Sequence, residues 1–382
     1  MAKKNKEAEA EEIEESKTPQ SVLSSFLKSS KTGDHYNFEK DNEYKVACSS
    51  LILTSHLEGG ISNGAHRFLG LSGGGKSSCA LDFMYHFLQD KTRKRKGVYI
   101  KSEGRLSENV RNRSGISFCK DAESWKDGYC FIFESNIYEA VFKLKRDLIE
   151  NNPSGTEFFF ITDCTDSLIK RDDARKSEEE SITVGGGSLI TSVFLKKVGL
   201  AMAKRGHVDL YISQIRDQIK INQYEVTIPK QGKASGPRSL EHQAGVVLEF
   251  LPRYNGDLIL EGEKGSKING HFCKVKIVKS DNEKNMVECR YPVRYGQAGG
   301  KSVWIAYELA DFMLSWEIVK KKPEAKTAAW LIMNEGFRQD IIKDTGKEVP
   351  ESFNGIAKVR DWLENDSDLC DYISNKMRST LF

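Results

Sequence analysis

No apolar run in this chain of 382 residues approaches the ~18 consecutive positions that a membrane helix needs. A helical membrane span is therefore not expected. The N-terminus reads Met1-Ala2-Lys3-Lys4-Asn5-Lys6 and passes into acidic residues instead of an apolar core, so no secretory signal is expected either. The 8 cysteines include no C-x-x-C pair and no dense framework, which points to free thiols in a reducing cytoplasm. Net charge is only +3, so any nucleic-acid interface must be local and not a property of the whole surface. No internal repeat is found.

What the chain does have is Gly70-Leu71-Ser72-Gly73-Gly74-Gly75-Lys76-Ser77, which fits G-x-x-x-x-G-K-[ST]. A short apolar run, Arg67-Phe68-Leu69, precedes it and a helical pattern follows. That strand–loop–helix context separates a phosphate-binding loop from a chance glycine-rich turn. Consecutive glycines let several backbone N–H groups converge on one anion, and the helix adds its positive end. Lys76 is expected to reach the β- and γ-phosphates of ATP. The hydroxyl of Ser77 is expected to ligate Mg²⁺, with Ser78 continuing the cradle.

Along the chain, residues 1–19 read as a charged, disordered tail containing an acidic run from Glu7 to Glu15. Residues 20–44 form a short N-terminal helical segment, with Val22, Leu23, Phe26 and Leu27 at helical spacing, able to pack on its own core or on a neighbouring subunit. Residues 45–320 alternate strand and helix signals. Phe158-Phe159-Phe160-Ile161-Thr162, ending in Asp163, suits a central parallel strand buried on both faces. Val98-Tyr99-Ile100, Cys130-Phe131-Ile132-Phe133, Val208 to Ser213 and Val246 to Phe250 read as further strands, with antiparallel ones at Phe272 to Val278 and Met286 to Tyr291. A helix is expected with Ile137, Ala140, Val141, Leu144 and Leu148 on one face. The basic run Lys91 to Lys96 reads as a solvated helix end matched to the dipole. Residues 321–382 read as a small helical module. The fold class is α/β with a mostly parallel central sheet.

Nucleotide hydrolysis needs a carboxylate at a strand end for the metal, a group that activates water, and a positive charge to offset the transition state. Asp163 suits the first role and Glu103, just after the strand at 98–100, the second. Asp166 is the alternative carboxylate, three residues on.

Five segments, in order and spacing, resemble the RecA-type DNA strand-exchange recombinases, and most of all their phage branch typified by UvsX. They are Ser49 to Ile61 ahead of the phosphate loop, Val98-Tyr99-Ile100-Lys101-Ser102-Glu103, Asp163-Cys164, Ile212-Ser213-Gln214-Ile215-Arg216, and Ser239 to Phe250 with Val278-Lys279-Ser280 after it. The resemblance implies a RecA-like P-loop ATPase core using ATP and Mg²⁺. It implies Glu103 as the catalytic glutamate, Asp163 in the metal's outer shell, Gln214 sensing the γ-phosphate, and Lys279 reaching the ATP of an adjacent protomer. It further implies self-association into a helical filament on single-stranded DNA, pairing with double-stranded DNA, and work beside a single-strand-binding protein and a loading mediator.

The chain departs from the pattern at two places in the site. Asp281 stands where the family usually has a second trans-acting basic residue, with Lys284 nearby. Val110 stands near the position of an adenine-stacking aromatic. DNA contact is expected from two long polar stretches. The first mixes Lys170, Arg171, Arg175 and Lys176 with acidic residues. The second carries Arg216, Lys220, Lys230, Lys233 and Arg238 among glycines, a composition suited to tracking phosphates without reading bases. Two rivals stay open: a hexameric helicase with the same core, disfavoured because only about 45 residues precede the core, and a nucleotide-switched recombination mediator, kept open by Asp281.

Overall fold

The computed structural model describes residues 18–31, 34–104, 106–177, 186–216, 233–234, 238–261, 267–322 and 330–381. The chain divides into two units, Met1–Asn42 and Glu43–Phe382. In the first, helix α1 (Pro19–Ser29) begins where Thr18 caps it, its hydroxyl accepting from Ser21 N at 3.2 Å, with proline in the first turn. The apolar spacing does form a helix, yet α1 buries none of its residues, and Val22, Leu23 and Phe26 stay exposed.

The second unit opens with β1 (Lys45–Val46), α2 (Leu51–His56) and β2 (Ile61–Ser62), the two strands pairing antiparallel. Then come β3 (Gly64–Gly70), α3 (Lys76–Gln89), β4 (Arg95–Lys101), α4 (Glu108–Ser114), β5 (Ser117–Cys119), β6 (Tyr129–Glu134), α5 (Tyr138–Glu150) and β7 (Glu157–Asp163). Next are α6 (Gly186–Lys204), β8 (Val208–Arg216), β9 (Lys233–Ala234), α7 (Arg238–Gln243) and β10 (Val246–Phe250). The remainder is β11 (Leu258–Glu261), β12 (Lys267–Lys279), β13 (Val287–Arg294), α8 (Ile305–Ser315), β14 (Val319–Lys321), β15 (Trp330–Met333), α9 (Glu335–Thr345), β16 (Ser352–Asn354), α10 (Ile356–Asn365) and α11 (Ser367–Leu381).

One large sheet runs β11-β12-β10-β3-β8-β7-β4-β6-β5. From β10 to β5 every neighbouring pair is parallel, and β11, β12 and β13 add the antiparallel extension. Every residue of β3 and of β7 is buried, as strands covered on both faces require. Helix α3 turns Cys79, Ala80, Phe83, Met84, Phe87 and Leu88 into the main core. Each large side chain buried there contributes about 1.5–3 kcal/mol.

Three sequence expectations need correction. The basic run at 91–96 is only partly a solvated helix end: Lys91 Nζ does bond the Leu88 carbonyl at 3.0 Å, but the arginines turn inward. Arg95 is buried, bonds Glu157 Oε2 at 2.8 Å and stacks over Tyr44 and Phe87, while Arg93 takes Glu157 Oε1 at 2.7 Å. A carboxylate at the head of β7 draws the arginines inward.

The buried face of α5 is Tyr138, Val141, Phe142, Lys145 and Ile149, about one position round from the face expected. Lys145 causes the shift. It is fully buried, and its ammonium bonds Asp209 at 2.5 Å and Thr162 Oγ1 at 2.8 Å, with Tyr211 donating to the same aspartate at 2.6 Å.

The C-terminal segment is not purely helical: β14, β15 and β16 form a three-stranded antiparallel sheet between its helices. Nor is it a separate appendage, since Leu331, Phe353, Val359, Leu363 and Ile373 share one core with Leu51 and α8. Glu308 of α8 ties that junction. Fully buried, it accepts from Ser50 Oγ at 2.6 Å and from the backbone of Leu51 and Ile52, capping α2, and burial pushes its carboxyl pKa up.

Candidate active site

Parallel α/β sheets gather their ligands beyond the carboxyl ends of the strands. Here those ends carry the chemistry. In register, Gly70 closing β3 faces Gln214 on β8 and Phe250 on β10, while Asp163 closing β7 faces Lys101 on β4, two residues before Glu103.

The phosphate loop, residues 70–77, leaves β3 at Gly70, where φ is +145° and a Cβ would lie 2.4 Å from the Phe250 carbonyl oxygen. Only glycine fits so close to β10. At Gly75, φ is +106° and α3 begins without a side-chain cap, leaving its first N–H groups for an anion. Lys76 is buried, its ammonium donating to the carbonyls of Gly70 at 2.8 Å and Leu71 at 2.7 Å.

The loop opens on a cavity of about 600 Å³. Of the expected site residues, Gly73, Gly75, Lys76, Ser77, Ser78, Glu103, Asp163 and Gln214 all line it. Asp163 accepts the Tyr99 hydroxyl at 2.5 Å, which fixes one carboxylate oxygen; burial drives the phenol pKa well up, so it remains a donor. The Asp163–Cys164 peptide is cis.

Among the described residues, Cys164, Ser167 and Gln214 donate to Glu103. Cys164 Sγ and Ser167 Oγ each reach its Oε1 at 2.6 Å, and Gln214 Nε2 reaches the same oxygen at 3.3 Å. Burial first, then the Glu103 contact, pushes the Cys164 thiol up to about 11, so it stays protonated and donates. Ser102 Oγ bonds the Cys164 carbonyl at 2.7 Å, pinning the turn that presents Glu103. The alternative carboxylate, Asp166, accepts the Gln214 backbone N–H at 2.6 Å. The set links Glu103 to Gln214, at the base of the second polar stretch.

The donors fit a hard divalent cation. Ser77 and Asp163 offer oxygens in one cavity, and Mg²⁺ asks a protein for only one or two carboxylates besides water and phosphate. Among the described residues no group of three or more His, Cys, Asp or Glu forms a self-sufficient metal cage.

Several residues of the cavity were not anticipated. Arg253, beyond β10, donates to the Gly73 carbonyl at 3.3 Å and to the Tyr295 hydroxyl at 3.5 Å. His271 packs on Tyr295 with ring centroids 5.4 Å apart, and its Nδ1 is buried with no hydrogen-bond partner among the described residues. Burial, then the Arg253 charge, pushes that imidazole down to about 4, so it is neutral at neutral pH. Val110 lines the cavity as expected, together with Leu106. Tyr99 had a readable signal: a tyrosine inside a buried parallel strand requires a partner for its hydroxyl.

Of the other expected positions, Lys279 is not among the residues that line the cavity. Lys279 Nζ donates to the carbonyls of Glu241 at 3.3 Å and His242 at 2.9 Å, at the end of α7. Asp281 accepts from Ser62 Oγ at 2.7 Å, and Lys284 stands 3.9 Å from Glu58. Arg216 ends β8 and pairs in register with Lys233 of β9, and Arg238 begins α7. Lys220 and Lys230 lie outside the described residues. In the first polar stretch, Lys176 is paired with Asp173 at 2.6 Å.

The chain is 24% identical over 214 residues to Protein RecA of Chlorobaculum tepidum. That likeness supports membership of the RecA family. The match takes in 55% of this chain and spans about half the length of the relative, 56%. No protein-family model matches the chain. The mostly parallel sheet and the loop geometry agree with a RecA-like core, and no helix among the described residues is long and apolar enough to cross a membrane.

Proposed function

We infer that this RecA-like chain is a DNA-dependent, Mg²⁺-requiring ATPase that assembles as a filament on single-stranded DNA and promotes strand pairing and exchange with double-stranded DNA. The observation that carries this is the bond from Gln214 to Glu103. The carboxylate assigned to hydrolysis accepts directly from Gln214, two residues before the polar stretch 216–238. A γ-phosphate that competes for Gln214 biases that stretch, and DNA held by it biases Gln214 in return.

In this reading Lys76 and the loop grip the triphosphate, Ser77 and Asp163 serve the metal, and Glu103 takes the proton of the attacking water. Arg216, Lys220, Lys230, Lys233 and Arg238 track the DNA backbone, and Lys279 reaches the site of a neighbouring protomer. The metal, when bound, neutralises charge on the β- and γ-phosphoryl oxygens. The motifs align this activity with the phage branch typified by UvsX, acting in the host cytoplasm beside a single-strand-binding protein and a loading mediator.

A second reading, a nucleotide-switched mediator without strand exchange, is favoured by Asp281, an anion tied to Ser62 where a trans-acting cation is expected. Negative-stain microscopy with single-stranded DNA and a non-hydrolysable ATP analogue decides between them. Helical filaments are expected; no assembly supports the mediator, and closed rings a helicase.

A further inference from the structure

We propose that Arg253 is a catalytic cation acting in cis, its guanidinium moving on nucleotide binding from the Gly73 carbonyl and Tyr295 hydroxyl to the γ-phosphate oxygens. The inference rests on the ATPase reading above and assigns a residue that reading leaves out. Transfer of a phosphoryl group to water spreads negative charge over the γ-oxygens and needs positive charge beside them. Lys76 supplies one such charge from within the loop. Of the two positions expected to bring charge from a neighbour, Lys279 alone is a cation, and Asp281, two residues on, is an anion bonded to Ser62, so one positive charge of the expected set is missing.

Within the cavity the arginines besides Arg253 are Arg113 and Arg294. Arg294 is held over the Trp304 ring at 4.7 Å and against Glu364 at 3.5 Å. Arg113 comes from α4. Arg253 instead bonds the phosphate loop itself, at Gly73, the first of its three consecutive glycines. Its two contacts, at 3.3 and 3.5 Å, are long and to neutral oxygens. Phosphate oxygens offer shorter, charge-assisted bonds, so nucleotide is a better partner than either. The residue is exposed, which leaves its long side chain free to travel. Its base is fixed, because β10 lies in register against β3 as far as Gly70.

The step balances without further reagents. The water oxygen bonds the γ-phosphorus, and Glu103 accepts the water proton. The bond from γ-phosphorus to the bridging oxygen breaks, its electron pair leaving on ADP. Arg253 gains its strongest contacts as the charge on the γ-oxygens is redistributed, so its effect falls on kcat.

The test uses the full chain with single-stranded DNA, Mg²⁺ and ATP, comparing the parent with Arg253→Ala and Arg253→Lys. Arg253→Ala is expected to lose about 10²-fold in kcat. Its affinity for ADP is expected to change less than about threefold, and its affinity for ADP with aluminium fluoride, which mimics the transferring phosphoryl group, to fall in step with kcat. Arg253→Lys restores part of kcat. If kcat is unchanged in Arg253→Ala, or if ADP affinity and melting temperature fall as far as kcat does, Arg253 only props the loop and the proposal fails. A parent that hydrolyses no ATP overturns the ATPase reading together with this one. A parent that does, with an unaffected variant, overturns this one alone.

Discussion

Two polar centres sit on the same parallel sheet and differ in one respect. Around Lys145, Asp209, Tyr211 and Thr162, charge is sealed: both ions are fully buried, and Asp209 receives bonds from Lys145 and Tyr211 within the chain. Around Glu103, Asp163, Gln214 and Lys76, the groups also bond one another, but they line a cavity. Burial pushes the Lys145 ammonium pKa down while Asp209 supports it, a balance that makes sense only for a permanent pair. Lys76 instead rests on two carbonyls of its own loop, contacts a triphosphate can replace. A closed network reports on stability. An open one, whose members hold each other in the absence of a ligand, reports on function.

Mutation separates the two centres. Lys76→Ala is expected to abolish ATP hydrolysis and ATP-dependent DNA binding while leaving the melting temperature near that of the parent; retained hydrolysis would remove the loop from the mechanism. Glu103→Ala is expected to lower kcat by roughly 10²–10⁴-fold while sparing ATP binding and assembly, and a parent-like rate would show that the carboxylate is not the base.

In the sealed centre the loss moves to stability. Lys145→Met strands a buried carboxylate and is expected to cost about 3–5 kcal/mol by denaturant unfolding. Adding Asp209→Leu is expected to recover much of it, and a double variant no better than the single would contradict the pair's isolation. Gln214→Ala is expected to hydrolyse ATP poorly even with saturating DNA; ordinary DNA stimulation would break the link between the cavity and the polar stretch.

The smallest effect concerns pH. Burial first, then Arg205, pushes His207 down to about 4, so the folded chain refuses a proton that the unfolded chain accepts near 6.5. The stability this group contributes is whole above about 6.5 and is lost as pH falls toward 4. The melting temperature of His207→Gln should therefore fall less steeply than the parent's between these values, and equal slopes would discount the residue.

The same contrast explains what the sequence made legible. Gly70–Ser77, Glu103, Asp163 and Gln214 could be placed because each follows a recognisable apolar strand, and a strand end points at the site. The mostly parallel sheet followed from the same alternation. Lys145 could not be placed: a lysine on an amphipathic helix is assigned to solvent, and its partner stands 64 residues away. Arg93 and Arg95 misled for the same reason, since Glu157 lies beyond two intervening helices and two strands. Cys164 and Ser167 were invisible as Glu103 donors because their role depends on two strand ends meeting. Arg253, His271 and Tyr295 lie outside the segments that carried the resemblance.

One further consequence follows from where β3 lies. Its neighbours are β8 and β10, and the chain between them is the polar stretch together with α7. Gly70 meets Gln214 on one side and Phe250 on the other. The strand that bears the phosphate loop is thus clasped between the strand that enters the polar stretch and the strand that follows it, so a shift of either one is felt at Gly70.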